Sequence, residues 1–498
     1  MRNAFVWGFN SKSAARIINL LEDKKIIDIK VWVGTAPDST HDMISFFVGD
    51  FVKDSYNGTA SVIYKDIFSN TISKYMDMMS RHSFHSEKSF HDYVNIYNLQ
   101  YDMFSDLLIK NEIEVVLFSN LPHEGPDLLL YEIAKKMNLK TILFYQSLFP
   151  NRFFYMYDLD DFGTFNEAKK VTHNLKVKCE KKYEKKLFYM DNIKKHNRNF
   201  FSLARETFIE SVLHHGSFFL KKKTYINLKE VTNRRLNHNI HEKHSVPNLN
   251  NLDQSIVKIL TDSKKNKGKS SYIFSSLRSM SLRFVQRYIN YRQAKKNFAK
   301  IISKHIDLDV KFVYFPLHLQ PELTTSAIAG IYVDQLLAIE RLSKIIPDDW
   351  QIYVKENPKQ TELMRGKWFY ERLELIEKVK VTPLDYDTYT LIEKCCFVAT
   401  ITGTVGWEAI SGGKNALIFG NAWYKTLPGV FSYSDNFELD KMLNYEIEHC
   451  ELEESLNALL SKTGDGVIDD SYSGLVDNFD INDNALKVAM FIESLLMN

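Results

Sequence analysis

The stretch Thr400-Ile401-Thr402-Gly403-Thr404-Val405-Gly406-Trp407-Glu408-Ala409-Ile410 joins an apolar strand end, hydroxyls, a glycine and a helix start. Backbone N–H groups and the positive end of a helix bind an anion there without a formal charge. Thr402 and Thr404 can add hydroxyl donors to a phosphate, and Gly403 lets the backbone come close. Glu408, about one turn into the helix, is placed to accept hydrogen bonds from both hydroxyls of a ribose. The plainer alternative is an N-capped helix with satisfied threonines and an exposed glutamate.

Two further turns carry similar chemistry. Phe315-Pro316-Leu317-His318-Leu319-Gln320-Pro321-Glu322 is a loop fixed by two prolines, with His318 and Gln320 on one side. A histidine and an amide at a strand end can contact a diphosphate, a phosphate or a sugar carboxylate; alone, such a histidine is as readily structural. Val354-Lys355-Glu356-Asn357-Pro358 puts a cation, Lys355, where a proline ends the strand, with a solvated lysine as the alternative. Three polar turns at successive strand ends of one sheet converge on one crevice, where an open α/β sheet holds its ligand.

In the first half, His123 and Glu124 lie between the strand Val115–Ser119 and a helix expected from Asp127 to Met137. Glu124 is the leading candidate for a catalytic carboxylate and His123 for its orienter or proton carrier; the alternative is a helix cap beside an exposed histidine. Asp158, Asp160 and Asp161 form a second carboxylate cluster, able to act as nucleophile or base in a retaining reaction or simply to bound a loop. No Asp-x-Asp sits convincingly after a strand, so neither a metal nor a separate cofactor is expected. Leaving-group charge then falls to helix termini, hydroxyls and Lys355.

The elements that must position these groups alternate strand and helix. Ala4–Phe9 is a short apolar run, Asn10-Ser11 starts a helix with Ile17, Ile18 and Leu21 on one face, and Ile29–Gly34 is a second strand. The pattern returns at Val115–Ser119 and Thr141–Phe144, and again after 310 at Lys311–Pro316, Gln351–Lys355, Val379–Val381, Phe397–Thr400 and Asn415–Gly420, with a helix around Asp334–Ile346. The expected fold class is α/β, with two Rossmann-like domains facing across a cleft. Residues 1–165 form the first domain, 166–305 a helical basic connecting region, 306–480 the second domain and 481–498 a terminal helix. A chain of 498 residues is too long for one ordinary core and suits two.

With 64 basic and 62 acidic residues the chain has no global field that would mark a nucleic-acid binder. Its middle is basic, through pairs such as Lys181-Lys182, Lys194-Lys195 and Arg234-Arg235, suited to an anionic membrane, to an acidic glycan or merely to solvated helix faces. Cys179, Cys395, Cys396 and Cys450 have no metal spacing and imply a reducing compartment. The N-terminus reads as a strand rather than a signal peptide, and no window approaches the roughly 20 apolar residues of a membrane span. A cytoplasmic protein is expected, at most touching the inner face of the membrane.

Taken in order, Phe-Pro-Leu-His-Leu-Gln-Pro-Glu, Tyr-Val-Lys-Glu-Asn-Pro, Thr-Gly-Thr-Val-Gly-Trp-Glu-Ala and Phe-Gly-Asn-Ala-Trp-Tyr resemble bacterial capsular polysaccharide biosynthesis proteins, mainly over 310–430. That group is related to transferases that add 3-deoxy-manno-octulosonic acid (Kdo) from its CMP-activated form, and is similar to GT-B glycosyltransferases more widely. The resemblance implies that Lys355, Asn357-Pro358 and the Thr402–Thr404 turn hold the nucleotide phosphate and Glu408 the ribose. Asn357 stands where many relatives have histidine, which removes an imidazole but not a donor. The implied activity is metal-independent transfer of a sugar from a nucleotide-sugar donor to a glycan or lipid-linked glycan acceptor. Nucleotide-sugar 2-epimerase chemistry and a non-catalytic role in polysaccharide assembly are the alternatives.

Overall fold

The computed structural model describes residues 1–43, 64–83, 90–169, 295–303, 305–320, 323–358 and 365–497, with isolated positions between 285 and 293 and at 360. Most of the expected basic middle, 166–305, lies outside the described residues.

The first sheet begins with β1 (Arg2–Trp7), β2 (Ile27–Gly34), β3 (His41–Asp42), β4 (Val115–Phe118), β5 (Lys140–Gln146) and β6 (Arg152–Met156), in the spatial order β6-β5-β4-β1-β2-β3. All neighbours are parallel except β5 and β6. Ala4–Trp7 and Val115–Phe118 are buried throughout, the mark of strands covered by helices on both faces. The Lys12–Asp23 helix shows why the sequence signal was readable: Ser11 Oγ accepts the Ala14 N–H at 3.2 Å, and Ala14, Ile17, Ile18 and Leu21 point inward.

The second sheet contains β7 (Phe312–Pro316), β8 (Gln351–Lys355), β9 (Val379–Val381), β10 (Phe397–Thr400), β11 (Ala416–Ile418) and β12 (Val430–Ser432). Its order is β12-β11-β10-β7-β8-β9, all parallel. Counted from its own first strand this is the 3-2-1-4-5-6 order of doubly wound nucleotide-binding folds. The first sheet repeats that order, with its sixth strand reversed. The α/β two-sheet architecture expected from the sequence is therefore present.

The chain's end corrects the expected boundary at 480. Gly464–Asp465, β13, pairs antiparallel with β6 and extends the first sheet. Val467 donates its N–H to Asn484 Oδ1 at 2.7 Å and Ile468 donates to Gln146 Oε1 at 2.8 Å, so the chain returns to the first sheet some fifteen residues before its last helix. That helix, Ile481–Met497, packs on Lys12–Asp23. Aromatic rings join the two halves: Phe149, past β5, lies 5.8 Å from Trp407 and 5.7 Å from Trp423, and Phe154 lies 6.1 Å from Trp423.

Ile492 is fully buried in the core shared with the first sheet. Ile492→Ala should therefore cost roughly 2–5 kcal/mol, read as a lowered urea midpoint. A cost below about 1 kcal/mol would mean that the tail lies on the first sheet without sharing its core.

Candidate functional site

The strand order of the second sheet reverses between β7 and β10, and such a switch point opens a crevice at the carboxyl ends of the strands. The loops that leave those two strands meet there through His318. Thr402 donates its N–H to His318 Nε2 at 3.1 Å, Thr400 Oγ1 lies 3.5 Å from the same nitrogen, and Gly403 N–H donates to Thr400 Oγ1 at 3.3 Å. A Cβ at position 403 would lie 2.9 Å from His318 Nε2. Glycine is needed here to admit the imidazole, whereas the sequence reading assigned it to the approach of a phosphate.

His318 is 7% exposed. Its N–H donates to Gln335 Oε1 at 2.8 Å, and its carbonyl accepts from Arg365 Nη2 at 2.7 Å and Gln335 Nε2 at 3.2 Å. Because Nε2 accepts an amide N–H, the ring proton belongs on Nδ1. Burial, with help from the Arg365 charge, pushes the imidazole pKa down to about 3, so the ring is neutral. His318 Nδ1 and Thr402 Oγ1 are both buried and lack a hydrogen-bond partner among the described residues. Buried polar atoms without partners are uncommon in native proteins. A ligand rich in oxygens would satisfy both.

Glu408 follows in the Val405–Ser411 helix, whose first turn is half-buried under Tyr424, which donates from its hydroxyl to the Gly403 carbonyl. Burial pushes the Glu408 carboxyl up to about 7. Thr404 begins this helix without a side-chain cap bond.

The other two turns are arranged differently from the expectation. Lys355 Nζ donates to the Tyr386 carbonyl and to Thr388 Oγ1 at 2.8 Å, so two of its three donors hold the turn before the Thr388–Lys394 helix. Burial lowers its pKa. Gln320 is committed on both ends of its amide, donating from Nε2 to the Val333 carbonyl at 2.6 Å and accepting at Oε1 from Gln335 Nε2 at 2.7 Å. Both residues shape the crevice wall. Asn357 follows Glu356, whose Oε1 accepts the Asn357 N–H at 2.8 Å. Glu356, Arg365 and Gln335, which sequence reasoning missed, tie these turns together. Only Glu356 left a trace, inside the Lys355–Pro358 motif.

At the first sheet's own switch point, between β1 and β4, Gly8 packs its Cα against the Ser119 side chain, leaving no room for a Cβ. Asp127, buried, organises the next turn: its Oδ2 accepts the His123 N–H at 2.7 Å, and its Oδ1 accepts those of Glu124 and Leu128, each at 2.8 Å. Burial raises the Asp127 carboxyl to about 6 despite these bonds. His123 Nδ1 lies 2.6 Å from the Leu121 carbonyl, which fixes the ring as an Nδ1–H donor. Asp127 thus meets the amides of this turn from within the helix's first turn, whose cap position, Gly125, offers no side chain.

Asp161 takes no part in this turn. Its Oδ1 accepts from Thr164 Oγ1 at 2.6 Å and Asn166 N–H at 2.8 Å, and its Oδ2 from Glu167 N–H at 3.3 Å. Asp158 pairs with Lys135 at 3.0 Å, at the far end of the eleven-residue Pro126–Lys136 helix, about 12 Å along its axis from Asp127. The carboxylate cluster thus bounds its own loop, because β6 reverses direction and leads away from the carboxyl edge.

The carboxyl edges of the two sheets are tied to each other, since Ser326, after β7, donates to Asp77 Oδ2 at 2.6 Å. The helix termini of the two switch points differ. In the first sheet Ser11 and Asp470 accept the N–H groups of Ala14 and Ser13, so a carboxylate from the chain's own tail already occupies the start of the Lys12–Asp23 helix. The second sheet keeps the open pair at His318 and Thr402. Among the described residues no group of three or more acidic, histidine or cysteine side chains is arranged to hold a metal ion.

Two outcomes follow. Glu408 has a folded-state pKa of about 7 against 4.5 unperturbed, so its contribution to stability is complete below pH 4.5 and is lost as pH rises through 7. Glu408→Gln should match the wild type near pH 4 and exceed it at pH 8, by on the order of 3 kcal/mol, in melts across that range. Gly403→Ala should cost about 1–3 kcal/mol in the same assay, because the imidazole must move; an unchanged melting temperature would show that the loops have slack.

Residues 215–439 match the family model described as capsule polysaccharide biosynthesis protein. Among solved structures, the β-Kdo 2,7-transferase of KpsC from Thermosulfurimonas dismutans aligns at 12% identity and a TM-score of 0.24, over 41% of this chain and 62% of that one. The chain thus spans less than two thirds of that structure. The β-Kdo 2,4-transferase of the same KpsC aligns at 10% identity and a TM-score of 0.30, over 76% and 87%. UDP-GlcNAc 2-epimerase from Methanocaldococcus jannaschii aligns at 12% identity and a TM-score of 0.25, over 100% and 99%. No curated protein matches the sequence significantly. Residues 215–439, which carry the switch-point loops of the second sheet and the Glu408 helix, are thus similar to capsule polysaccharide biosynthesis proteins.

Proposed function

We propose that the protein is a glycosyltransferase of surface polysaccharide synthesis, with a nucleotide-activated sugar held at the β7–β10 switch point and a glycan or lipid-linked glycan acceptor at the loops of the first sheet. The observation that carries this reading is the pair of buried, unpartnered groups at that switch point, His318 Nδ1 and Thr402 Oγ1, within the family segment. In this reading Glu408 accepts from the ribose hydroxyls. Residues 1–165 with the returning tail form the acceptor side, and 306–463 the donor side. Among the described residues no helix is long and apolar enough to cross a membrane. The protein would work in the cytoplasm against the inner membrane face.

The donor reading favours a CMP-linked ulosonic acid such as Kdo. His318 and Thr402 are neutral donors, and Lys355 and Arg365 already hold protein partners. At the phosphate itself such a set suits the single charge of a CMP-sugar better than the two adjacent charges of a diphosphate, which call for cations or a metal; the carboxylate of the ulosonic acid would lie outside this pair. Glu124 would take the proton from the acceptor hydroxyl as its oxygen bonds to the anomeric carbon. The bond from that carbon to the phosphate oxygen breaks, and its electron pair leaves with the nucleotide. His123, fixed by the Leu121 carbonyl, would orient Glu124 or the acceptor.

Nucleotide release from CMP-Kdo, UDP-sugars and GDP-sugars, each with a membrane glycolipid extract, tests this. One donor should turn over; Glu408→Ala should raise its KM at least tenfold, and Glu124→Ala should lower kcat by about 10²–10⁴ with donor binding intact. Silence of the folded wild type with every donor would contradict the transferase reading.

A further inference from the structure

Beneath the β7 and β8 loops lies an ion pair that the sequence motifs do not announce. Arg365 donates from Nε to Glu356 Oε2 at 2.7 Å and from Nη2 to Glu356 Oε1 at 3.1 Å. The same Nη2 donates to the His318 carbonyl at 2.7 Å, and the guanidinium lies 4.5 Å from the centre of the Phe369 ring. The two side chains are only 3% and 6% exposed. A pair this deep is a poor stabilising device, since apolar residues of similar volume usually serve as well. What it supplies is direction. A planar fork that grips a carboxylate and a carbonyl at once fixes both loops relative to each other.

We infer that the Glu356–Arg365 pair is the positioning unit of the donor site, holding the His318 backbone so that Nε2 receives the Thr402 amide and Nδ1–H is left for the ligand. This rests on the donor-site reading above for the ligand, though not for the ring's orientation. Every other anchor of His318 is neutral: the Gln335 amide and the Thr400 and Thr402 groups of the β10 loop. The guanidinium is the one charged group among its hydrogen-bond partners in the described residues. Neither Arg365 nor Glu356 need touch the nucleotide.

The test combines calorimetric titration with CMP and with UDP and NMR of the full chain labelled with ¹⁵N in its histidine rings, the His318 signals being those lost in His318→Gln. The wild type should show one protonated and one unprotonated ring nitrogen for His318. In Arg365→Met that pattern should average, and nucleotide affinity should fall tenfold or more. If Arg365→Met does not fold because Glu356 is stranded, the double variant Glu356→Leu with Arg365→Met removes both charges and should show the same losses. If that also fails to fold, Arg365→Lys, which reaches only one of the two acceptors, should bind severalfold more weakly. Wild-type ring signals and affinity in any folded variant would overturn the assignment. Failure of the wild type to bind either nucleotide would count against the donor-site reading, while the ring signals would still decide the positioning role.

Discussion

The hydrogen bond from the Thr402 amide to His318 Nε2 joins two loops that are more than eighty residues apart in sequence and leave adjacent strands. Much of the second sheet's chemistry depends on it. It requires a neutral imidazole, which burial and the Arg365 charge enforce. It requires glycine at 403, because any side chain there would meet the ring. It also fixes the tautomer, and so turns a histidine that looked like a phosphate ligand into a neutral donor on a rigid wall.

The two sheets share one strand order and differ at their switch points. Both reverse strand order at an internal switch point, and at both a glycine lets two loops approach. In the first, the tail that returns through β13 brings Asp470 to the Lys12–Asp23 helix and meets its exposed N–H groups internally. In the second, His318 Nδ1 and Thr402 Oγ1 have no partner among the described residues, whereas the atom left over at the first is an acceptor, Asp470 Oδ1. The difference lies in what the chain does far from either loop, so it is a tertiary property.

The sequence made legible what depends on local order. Continuous apolar runs such as Phe5–Trp7 and Val115–Phe118 became buried parallel strands, and Ser11 capped its helix. The polar turns did fall at the carboxyl ends of strands, and His318 and Thr402 did come together. What stayed hidden was which polar atoms find partners within the protein. Lys355 and Gln320 looked available but are committed to Thr388 and to Val333 and Gln335. Asp161 closes its own turn, and Asp127, read only as the start of its helix, holds the amides of the turn beside Glu124. Arg365 sits in no motif, and two-residue β13 carries no periodic signal. Each of these depends on contacts across many residues, which spacing along the chain does not encode.

The most direct test of this account is a photoaffinity map, in which the folded protein is irradiated with a light-activated cytidine nucleotide and the modified peptides are sequenced. Labelling of the 317–320 and 400–408 loops, suppressed by excess CMP, is the expected result. Labelling confined to the first sheet's loops at 8–11 and 119–124 would contradict it.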